Sequence, residues 1–284
     1  MSLLSYNFRG LGNQRAVGRL KKLLNNEAHD IVFLMETKRS AEEMQVVKSR
    51  LGFSESYFVD SEGRAGGLAL LWNDNIGVTV LSASLHHIDC IIKGLFCEEE
   101  WRLTCFYGWA SAPDKHLSWE LLRSIRNASL LPWLVVGDMN QILFEAEKEG
   151  GQPRSQREMD EFREAMDECG LIDLGYFGKP FTWWNKQTEQ FAVFERLDRG
   201  VASLEWIQLL PHIGVIHRPS DKSDHIPIEL TTMPRSGTPR NRCKPFRFED
   251  MWLSSPDCEE VVKGAWTSTV GDANDVLGKI CNPP

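Results

Sequence analysis

The sequence lacks the features that mark membrane, secreted and disulfide-stabilised proteins. Its longest apolar stretches, such as residues 31–35, are far too short to cross a bilayer. No basic segment followed by a long apolar run begins the chain, so we expect no signal peptide and no transmembrane segment. The seven cysteines are an odd number without a C-x-x-C pair, which argues against a disulfide framework and a zinc ribbon. We therefore expect a reducing compartment, nuclear or cytoplasmic.

Several catalytic signatures are also missing. No serine lies in a nucleophile-elbow pattern, and neither a P-loop nor a dinucleotide-binding glycine fingerprint occurs. Positive charge is in deficit, with 32 lysines and arginines against 40 aspartates and glutamates. Because proteins that grip many phosphates are usually basic, the net charge of −8 argues against tight nucleic-acid binding. Cations bound at a carboxylate-rich site would offset part of that charge.

The proportions of apolar and charged residues are those of an ordinary globular protein. Apolar residues make up 42% and charged residues 25% of the 284 residues, enough for one large domain or two small ones. Capping boxes at residues 40–43 and 155–158 predict two helix starts. Helical periodicity also follows Asn13 and covers residues 114–128. The apolar run over residues 30–36 is typical of a strand buried on both faces.

Shorter apolar runs bounded by turn residues predict many further strands. They lie near residues 67–72, 78–83, 89–93, 102–107, 133–136, 181–184, 194–197, 213–217 and 226–230. Many short strands with a few helices predict an α+β or layered fold with mostly antiparallel pairing. Residues 233–245 are rich in Pro, Gly, Arg and Ser, which indicates a linker.

Polar groups stand beside five of the apolar strands. Residues 6–7 and Glu36 follow the first two strands, and residues 138–140 end W-L-V-V-G-D-M-N. Residues 196–199 close V-F-E-R-L-D-R, and residues 223–225 precede I-P-I-E-L. Strand ends in a layered sheet can converge on one rim, so we expect these groups to share a pocket.

Each of these residues also has a structural interpretation. Three of them suit a turn or a helix cap: Asn7, Glu36 and Asp138. Asp198 can pair with a neighbouring arginine, His225 can be a structural histidine, and Tyr107 can be a core aromatic. Five such placements in one chain nevertheless favour a shared catalytic site.

The group suits the hydrolysis of a phosphate ester. Oxygen ligands without thiolates are those that Mg²⁺ or Mn²⁺ prefers, so Glu36 and Asn7 are candidate metal ligands. A carboxylate such as Asp138 can orient and deprotonate a water molecule. His225 backed by Asp198 can stabilise the charge that develops on a phosphate oxygen.

The ordered series Y-N, L-M-E-T, C-F-Y-G, V-G-D-M-N, F-T-W-W-N, E-R-L-D-R and S-D-H-I-P resembles the endonuclease/exonuclease/phosphatase superfamily over residues 3–232. Three longer segments, at 7–13, 30–38 and 66–72, and K-P-F-R-F-E-D-M-W at 244–252 resemble the endonuclease domain of plant LINE-type non-LTR retrotransposons. The resemblance implies a four-layer α/β/β/α sandwich with two central sheets. It also implies a catalytic domain over residues 1–232 and a linker with a partial connecting segment over 233–284, the reverse transcriptase domain of the parent polyprotein being absent.

Roles for individual residues follow from the same resemblance. It implies metal ligation by Asn7, Glu36 and Asp224. It implies catalytic roles for five residues: Tyr107 on the phosphate, Asp138 on the water, Asn140 as its orienting neighbour, His225 on the phosphate and Asp198 as the partner of that histidine. Contacts with substrate are implied or expected for Thr182, Trp183 and Arg9. Arg9 is also a departure, because several superfamily members carry an Asp or Asn there that assists the metal.

The function that we expect is Mg²⁺- or Mn²⁺-dependent endonucleolytic cleavage of DNA, with one strand nicked to leave a 3′-hydroxyl primer. Two alternatives stay open on the sequence. One is a phosphatase or phosphodiesterase for a small ester, although neither a basic pocket nor an apolar membrane loop is evident. The other is a non-catalytic relic that binds without turnover. We expect DNA as the partner and no membrane.

Overall fold

A computed structural model describes residues 2–26, 29–63, 65–219 and 223–233. Beyond Met233, the expected linker and connecting segment lie outside the described residues. Among the described residues, the helices are too short or too polar to span a lipid bilayer.

The described chain forms sixteen strands and five α-helices. The strands are β1 (Ser2–Asn7), β2 (Ile31–Met35), β3 (Glu55–Glu62), β4 (Ala65–Trp72), β5 (Gly77–Ser84), β6 (His87–Lys93), β7 (Trp101–Tyr107), β8 (Trp133–Asp138), β9 (Lys148–Glu149), β10 (Leu171–Asp173), β11 (Phe177–Gly178), β12 (Trp183–Trp184), β13 (Phe194–Glu195), β14 (Asp198–Ser203), β15 (Ile213–His217) and β16 (Ile228–Thr232). The helices are α1 (Gln14–Asn26), α2 (Ala41–Leu51), α3 (Lys115–Arg126), α4 (Gln156–Cys169) and α5 (Leu204–Leu209).

The strands form two large sheets and one small one. The first sheet has the order β11-β15-β16-β1-β2-β4-β3, the second β10-β14-β8-β7-β6-β5, and the small sheet β12-β13-β9. Most neighbours are antiparallel, as expected, but three pairs are parallel: β1 with β2, β7 with β8 and β11 with β15. Each of these parallel pairs brings two strand ends to the same edge of its sheet.

The two sheets pack face to face between two layers of helices. Along β2, Ile31 and Phe33 pack against residues of the second sheet, whereas Val32 and Leu34 pack with residues of α1 and α2. Apolar residues of α3 and α4 cover the outer face of the second sheet. Because side chains alternate across a strand, burial on both faces explains the continuous apolar run. The expected four-layer sandwich is confirmed.

The capping residues predicted from sequence begin their helices. Asn13 Oδ1 accepts from the Ala16 N–H at 2.8 Å, and Ser40 forms a reciprocal capping box with Glu43. At α4 the box is half formed. The Ser155 side chain accepts from the Glu158 N–H, while the Glu158 carboxylate accepts instead from Lys115 and Gln141. Tertiary partners therefore replace the local contact.

The buried histidine of β15 makes stability sensitive to acid. The His217 ring stacks on Tyr176 with 4.4 Å between centroids, and its Nδ1–H donates to the Lys179 carbonyl. Burial lowers the pKa of His217 to about 4. The unfolded chain takes up this proton near pH 6.5 and the folded chain does not, so stability falls as the pH falls from about 6.5 to about 4. We expect this histidine to contribute roughly 3 kcal/mol to that fall.

Urea denaturation of the His217→Gln variant between pH 7 and pH 4 measures this contribution. Glutamine keeps an amide donor but does not titrate, so the variant should lose less stability on acidification than the wild type. His116→Gln, at an exposed position on α3, is the matched control and should follow the wild type. Parallel curves for the wild type and His217→Gln would contradict the assignment.

Candidate active site

Two of the predicted residues lie at the ends of β1 and β2, a parallel pair of the first sheet. Asn7 is the last residue of β1 and lies opposite Met35, after which Glu36 follows directly. The Asn7 Nδ2 group donates to Glu36 Oε1 at 3.4 Å and to Asp138 Oδ2 at 3.0 Å. Glu36 has a φ of 51°, a left-handed conformation that residues other than glycine rarely adopt. This amide therefore links the ends of the two sheets.

The parallel pair of the second sheet supplies the next two residues. Tyr107 and Asp138 end β7 and β8 and lie opposite each other. The strands come this close because the residue before Asp138 is a glycine: a Cβ at Gly137, whose φ is +147°, would lie 1.9 Å from the Phe106 carbonyl oxygen. The Tyr107 hydroxyl donates to Glu36 Oε1 at 3.0 Å. Strand packing therefore requires the glycine of the G-D pair.

Asp198 and His225 meet beside Asp138. Asp198 begins β14 and lies opposite Asp138 in the antiparallel register. The Nδ1 atom of His225 lies 2.8 Å from Asp198 Oδ2, and its Nε2 atom lies 3.7 Å from Asp138 Oδ2. All three side chains are buried. The expected dyad of His225 and Asp198, 27 positions apart in sequence, is therefore formed.

Asn140 and Thr182 form hydrogen bonds that hold Asp138 and Asp198 in place. The Asn140 N–H donates to Asp138 Oδ1 at 2.9 Å, while its side-chain amide donates to the Gly108 carbonyl. The Thr182 hydroxyl, 1% exposed, accepts from the N–H groups of Leu197 and Asp198. Thr182 is therefore buried beside the backbone of Asp198, where its hydroxyl positions that residue. It is not exposed for contact with substrate in this structure.

Asp224 contacts the two remaining candidates, Trp183 and Arg9. Its Oδ2 atom accepts from Trp183 Nε1 at 3.3 Å and pairs with Arg9 Nη1. The Arg9 Nε atom lies 3.4 Å from Glu36 Oε2. The structure therefore brings all predicted site residues into one chain of contacts: Asn7, Arg9, Glu36, Tyr107, Asp138, Asn140, Thr182, Trp183, Asp198, Asp224 and His225.

The pKa values of Asp138 and His225 are both raised, for different physical reasons. Burial raises the pKa of Asp138 to about 6, with His225 opposing the shift and Asp198 adding to it. Burial acts against protonation of His225, but the carboxylates of Asp198 and Asp138 outweigh it and raise the pKa of the imidazole. The site thus pairs a carboxylate of increased basicity with an imidazole that favours its protonated form.

Glu36 is held in its ionised form. Burial alone would raise its pKa, but the Arg9 guanidinium, the hydrogen bonds from Tyr107 and Asn7, and the Lys38 ammonium together lower it. Burial raises the pKa of Tyr107, and the nearby Glu36 carboxylate adds to this shift. The tyrosine therefore stays a neutral hydrogen-bond donor beside an anionic carboxylate.

Two groups of side chains are candidates for holding a metal ion. The first is the oxygen set of Glu36, Asp224 and Asn7, whose Oδ1 atom is buried without a hydrogen-bond partner among the described residues. A buried carbonyl oxygen without a partner fits a cation ligand. The second is the buried group of Asp138, Asp198 and His225, whose ligand atoms lie within 4.8 Å of one another. In that group, the imidazole Nδ1 already contacts Asp198.

The sequence profile of the Endonuclease/Exonuclease/phosphatase family matches residues 4–225, which include every candidate site residue. The chain belongs to this family. Members of the Endonuclease/Exonuclease/phosphatase family are hydrolases of phosphate esters, and this agrees with a site of carboxylates, amides and one histidine. No protein of curated function has a significantly similar sequence.

Solved structures share the family's fold with this chain at low sequence identity. An AP endonuclease from Archaeoglobus fulgidus is 15% identical, with a TM-score of 0.63 over 82% of this chain and 99% of its own. The AP endonuclease LMAP from Leishmania major is 16% identical, with a TM-score of 0.61 over 82% and 88% of the two chains. The endonuclease domain of TRAS1, a telomere-specific non-LTR retrotransposon, is 14% identical, with a TM-score of 0.60 over 83% and 99%.

The site contacts of two residues were not predicted from sequence, although one of them, Ser223, belongs to the expected polar group at residues 223–225. Lys38 Nζ lies 3.4 Å from Glu36 Oε2, and the Ser223 hydroxyl donates to the Asn7 carbonyl at 3.0 Å. The Ser223 hydroxyl also accepts from the His225 N–H at 3.3 Å. The serine in S-D-H was a signal for this role, because a hydroxyl two residues before a histidine can form such a turn.

Proposed function

We propose that the protein is a divalent-metal-dependent DNA endonuclease that hydrolyses a phosphodiester and nicks one strand of its target. The observation that carries the proposal is the set of contacts joining Asn7, Glu36 and Tyr107 to Asp138 and His225. It brings candidate metal ligands, a base and a proton donor to one rim.

Asp138 and His225 divide the chemistry in this proposal. Asp138, with a pKa raised by burial, accepts a proton from the attacking water. His225 donates through Nε2 to a phosphate oxygen, and Asp198 fixes the tautomer by accepting from Nδ1. Asn140 orients the base through its backbone N–H. Tyr107 holds Glu36 and presents its hydroxyl near the position of the phosphate.

Glu36, Asp224 and the amide oxygen of Asn7 would hold the metal ion. Mg²⁺ or Mn²⁺ suits this oxygen set and, when bound, supplies charge neutralisation on the phosphate and stabilisation of the leaving oxygen. Lys38 adds a positive charge at the same rim. This ligand set contains neither a thiolate nor an imidazole, which favours a hard cation over zinc.

Two features support DNA as the substrate and a role in retrotransposition. The first is the resemblance of residues 7–13 and 30–38 to plant LINE-type endonucleases. The second is the fold shared with the TRAS1 endonuclease domain.

The overall net charge of −8 predicts weak affinity for duplex DNA and a modest salt dependence of binding. A nick that leaves a 3′-hydroxyl would provide the primer that such elements need.

A plasmid-nicking assay with increasing Mg²⁺, and then with EDTA, tests the proposal. We expect metal-dependent conversion of supercoiled to open-circular DNA, with ends that a polymerase extends. The Glu36→Gln variant should raise the half-saturating Mg²⁺ concentration by roughly tenfold or more, because one charged ligand is lost. Glu42→Gln, at an exposed position on α2, makes the same change away from the site and should behave as the wild type.

The alternatives give different results in the same assay. Turnover of a small phosphomonoester without nicking would favour a phosphatase, and binding without any turnover would favour a relic. An unchanged Mg²⁺ requirement in Glu36→Gln would favour a metal at the group of Asp138, Asp198 and His225, which does not include Glu36.

A further inference from the structure

Arg9 lies between the carboxylates of Glu36 and Asp224, two residues that are far apart in the sequence. Its guanidinium pairs with Asp224 through Nη1 and with Glu36 Oε2 through Nε at 3.4 Å. The two carboxylate side chains are 5% and 13% exposed, whereas that of Arg9 is 47% exposed. A cation on a flexible, half-exposed side chain thus neutralises two acidic groups that are mostly shielded from water.

The backbone keeps Arg9 at this position. The loop after β1 is fixed on either side by hydrogen bonds from the Phe8 N–H to the Met35 carbonyl and from the Leu11 N–H to the Thr37 carbonyl. Within it, Arg9 has a φ of 53°, a conformation that residues with side chains adopt only where surrounding contacts impose it. The loop therefore fixes the backbone position from which the Arg9 side chain reaches Glu36 and Asp224.

We propose that Arg9 is an internal cation that competes with the divalent metal for Glu36 and Asp224. This inference rests on the proposed metal-dependent function, because it concerns the same two carboxylates. A guanidinium stays charged at every physiological pH, so it neutralises both groups whenever no metal is bound. A metal ion that binds both carboxylates must displace it, and the lost ion pairs subtract from the metal's affinity.

The competition has two consequences for the protein. In the metal-free form, Arg9 holds the carboxylates of Glu36 and Asp224 together although they repel each other, so the site stays assembled. In exchange, the chain needs a higher metal concentration than a site with the same ligands and a neutral residue at this position. Arg9 is thus a positioning residue that sets the metal requirement.

Calorimetric titration of the metal-free protein with Mn²⁺ tests the inference without reference to cleavage. The Arg9→Gln variant should bind Mn²⁺ at least tenfold more tightly than the wild type. Its melting temperature without metal should be lower, because Glu36 and Asp224 lose their shared cation. Lys38→Gln is the matched control: it removes the same charge, but the described contacts pair Lys38 with Glu36 and not with Asp224. Its affinity should rise less than threefold.

The outcomes separate this inference from the proposed function. An affinity that is unchanged, weaker or undetectable in Arg9→Gln would overturn the competition, even if the wild type nicks DNA. An equal gain in Arg9→Gln and Lys38→Gln would also overturn it, because general charge removal would then explain the effect. Tighter Mn²⁺ binding in Arg9→Gln alone, with no nicking under any condition, would support the competition and refute the endonuclease.

Discussion

The Asp138→Asn variant should nick DNA at least about 10² times more slowly than the wild type, the range expected for the loss of a general base. The amide has nearly the shape of the carboxylate and can still accept one of the hydrogen bonds that Asp138 takes from Asn7 and Asn140. It cannot accept a proton from water. Single-turnover nicking at saturating Mg²⁺ measures the rate, and fluorescence anisotropy with labelled DNA measures affinity.

The affinity of Asp138→Asn for DNA should change little, because the base acts on the water and not on the bound phosphate. Asp167→Asn, an identical change at an exposed position of α4, should leave both quantities unaltered. If rate and affinity fell together in Asp138→Asn, the residue would have a structural role. A preserved melting temperature would exclude misfolding as the cause of a slow variant.

The His225→Ala variant should nick DNA roughly 10² times more slowly than the wild type, while its affinity for DNA should fall much less. The reason is that the hydrogen bond from His225 to the phosphate strengthens as charge develops in the transition state. Asp198→Ala should cost less than His225→Ala, since the aspartate acts through the histidine. The double variant should be little slower than His225→Ala alone, as expected for two residues that act as a unit. A double-mutant cycle on single-turnover rates provides the measurement.

Independent sites provide the reference for this cycle. His225→Ala combined with Asp167→Asn should be additive, because the two residues share no partners. Full additivity of His225→Ala with Asp198→Ala would contradict the dyad, despite the 2.8 Å separation of Nδ1 and Oδ2. In that case the contact between the Asp198 carboxylate and the imidazole would not contribute to the nicking rate.

The elements best predicted from sequence are those with local causes. The continuous apolar run predicted β2, and the serine with a glutamate three positions later predicted α2. Both depend on contacts within a few residues or on burial of a whole segment. The positions of Asn7, Glu36 and Asp138 at strand ends followed from the same local patterns, so most of the rim was predictable.

The elements missed from sequence depend on distant partners. Asp198 was expected near the end of a strand, yet it begins β14, and the next residue, Arg199, is fully buried. Burial of that arginine is possible because Glu147 and Asp173 accept its hydrogen bonds. β3 was not predicted either, because it is a polar edge strand that pairs on one side with β4. Spacing along the chain gives no sign of such partners.

The substrate contacts expected for Thr182 and Arg9 show a second limit of prediction from sequence. A motif identifies a residue that belongs near a site but not the direction of its side chain. The Thr182 hydroxyl accepts from two backbone N–H groups behind Asp198, and Arg9 pairs with Glu36 and Asp224. Both side chains therefore act on other residues of the site in this structure, and direct contact with DNA stays a prediction.

The place of β1 in the first sheet determines when the site can form during synthesis. β1 pairs with β2 on one side and with β16 on the other, so Ser2 lies opposite Thr231. Closing a loop of nearly the whole described chain is slow and costs entropy before its contacts form. Asp224 and His225 lie just ahead of β16, so they join Asn7 and Glu36 only when this strand docks. A nascent chain on the ribosome would therefore carry most of the site residues before Asp224 and His225 join them, and the complete site would form as one late event.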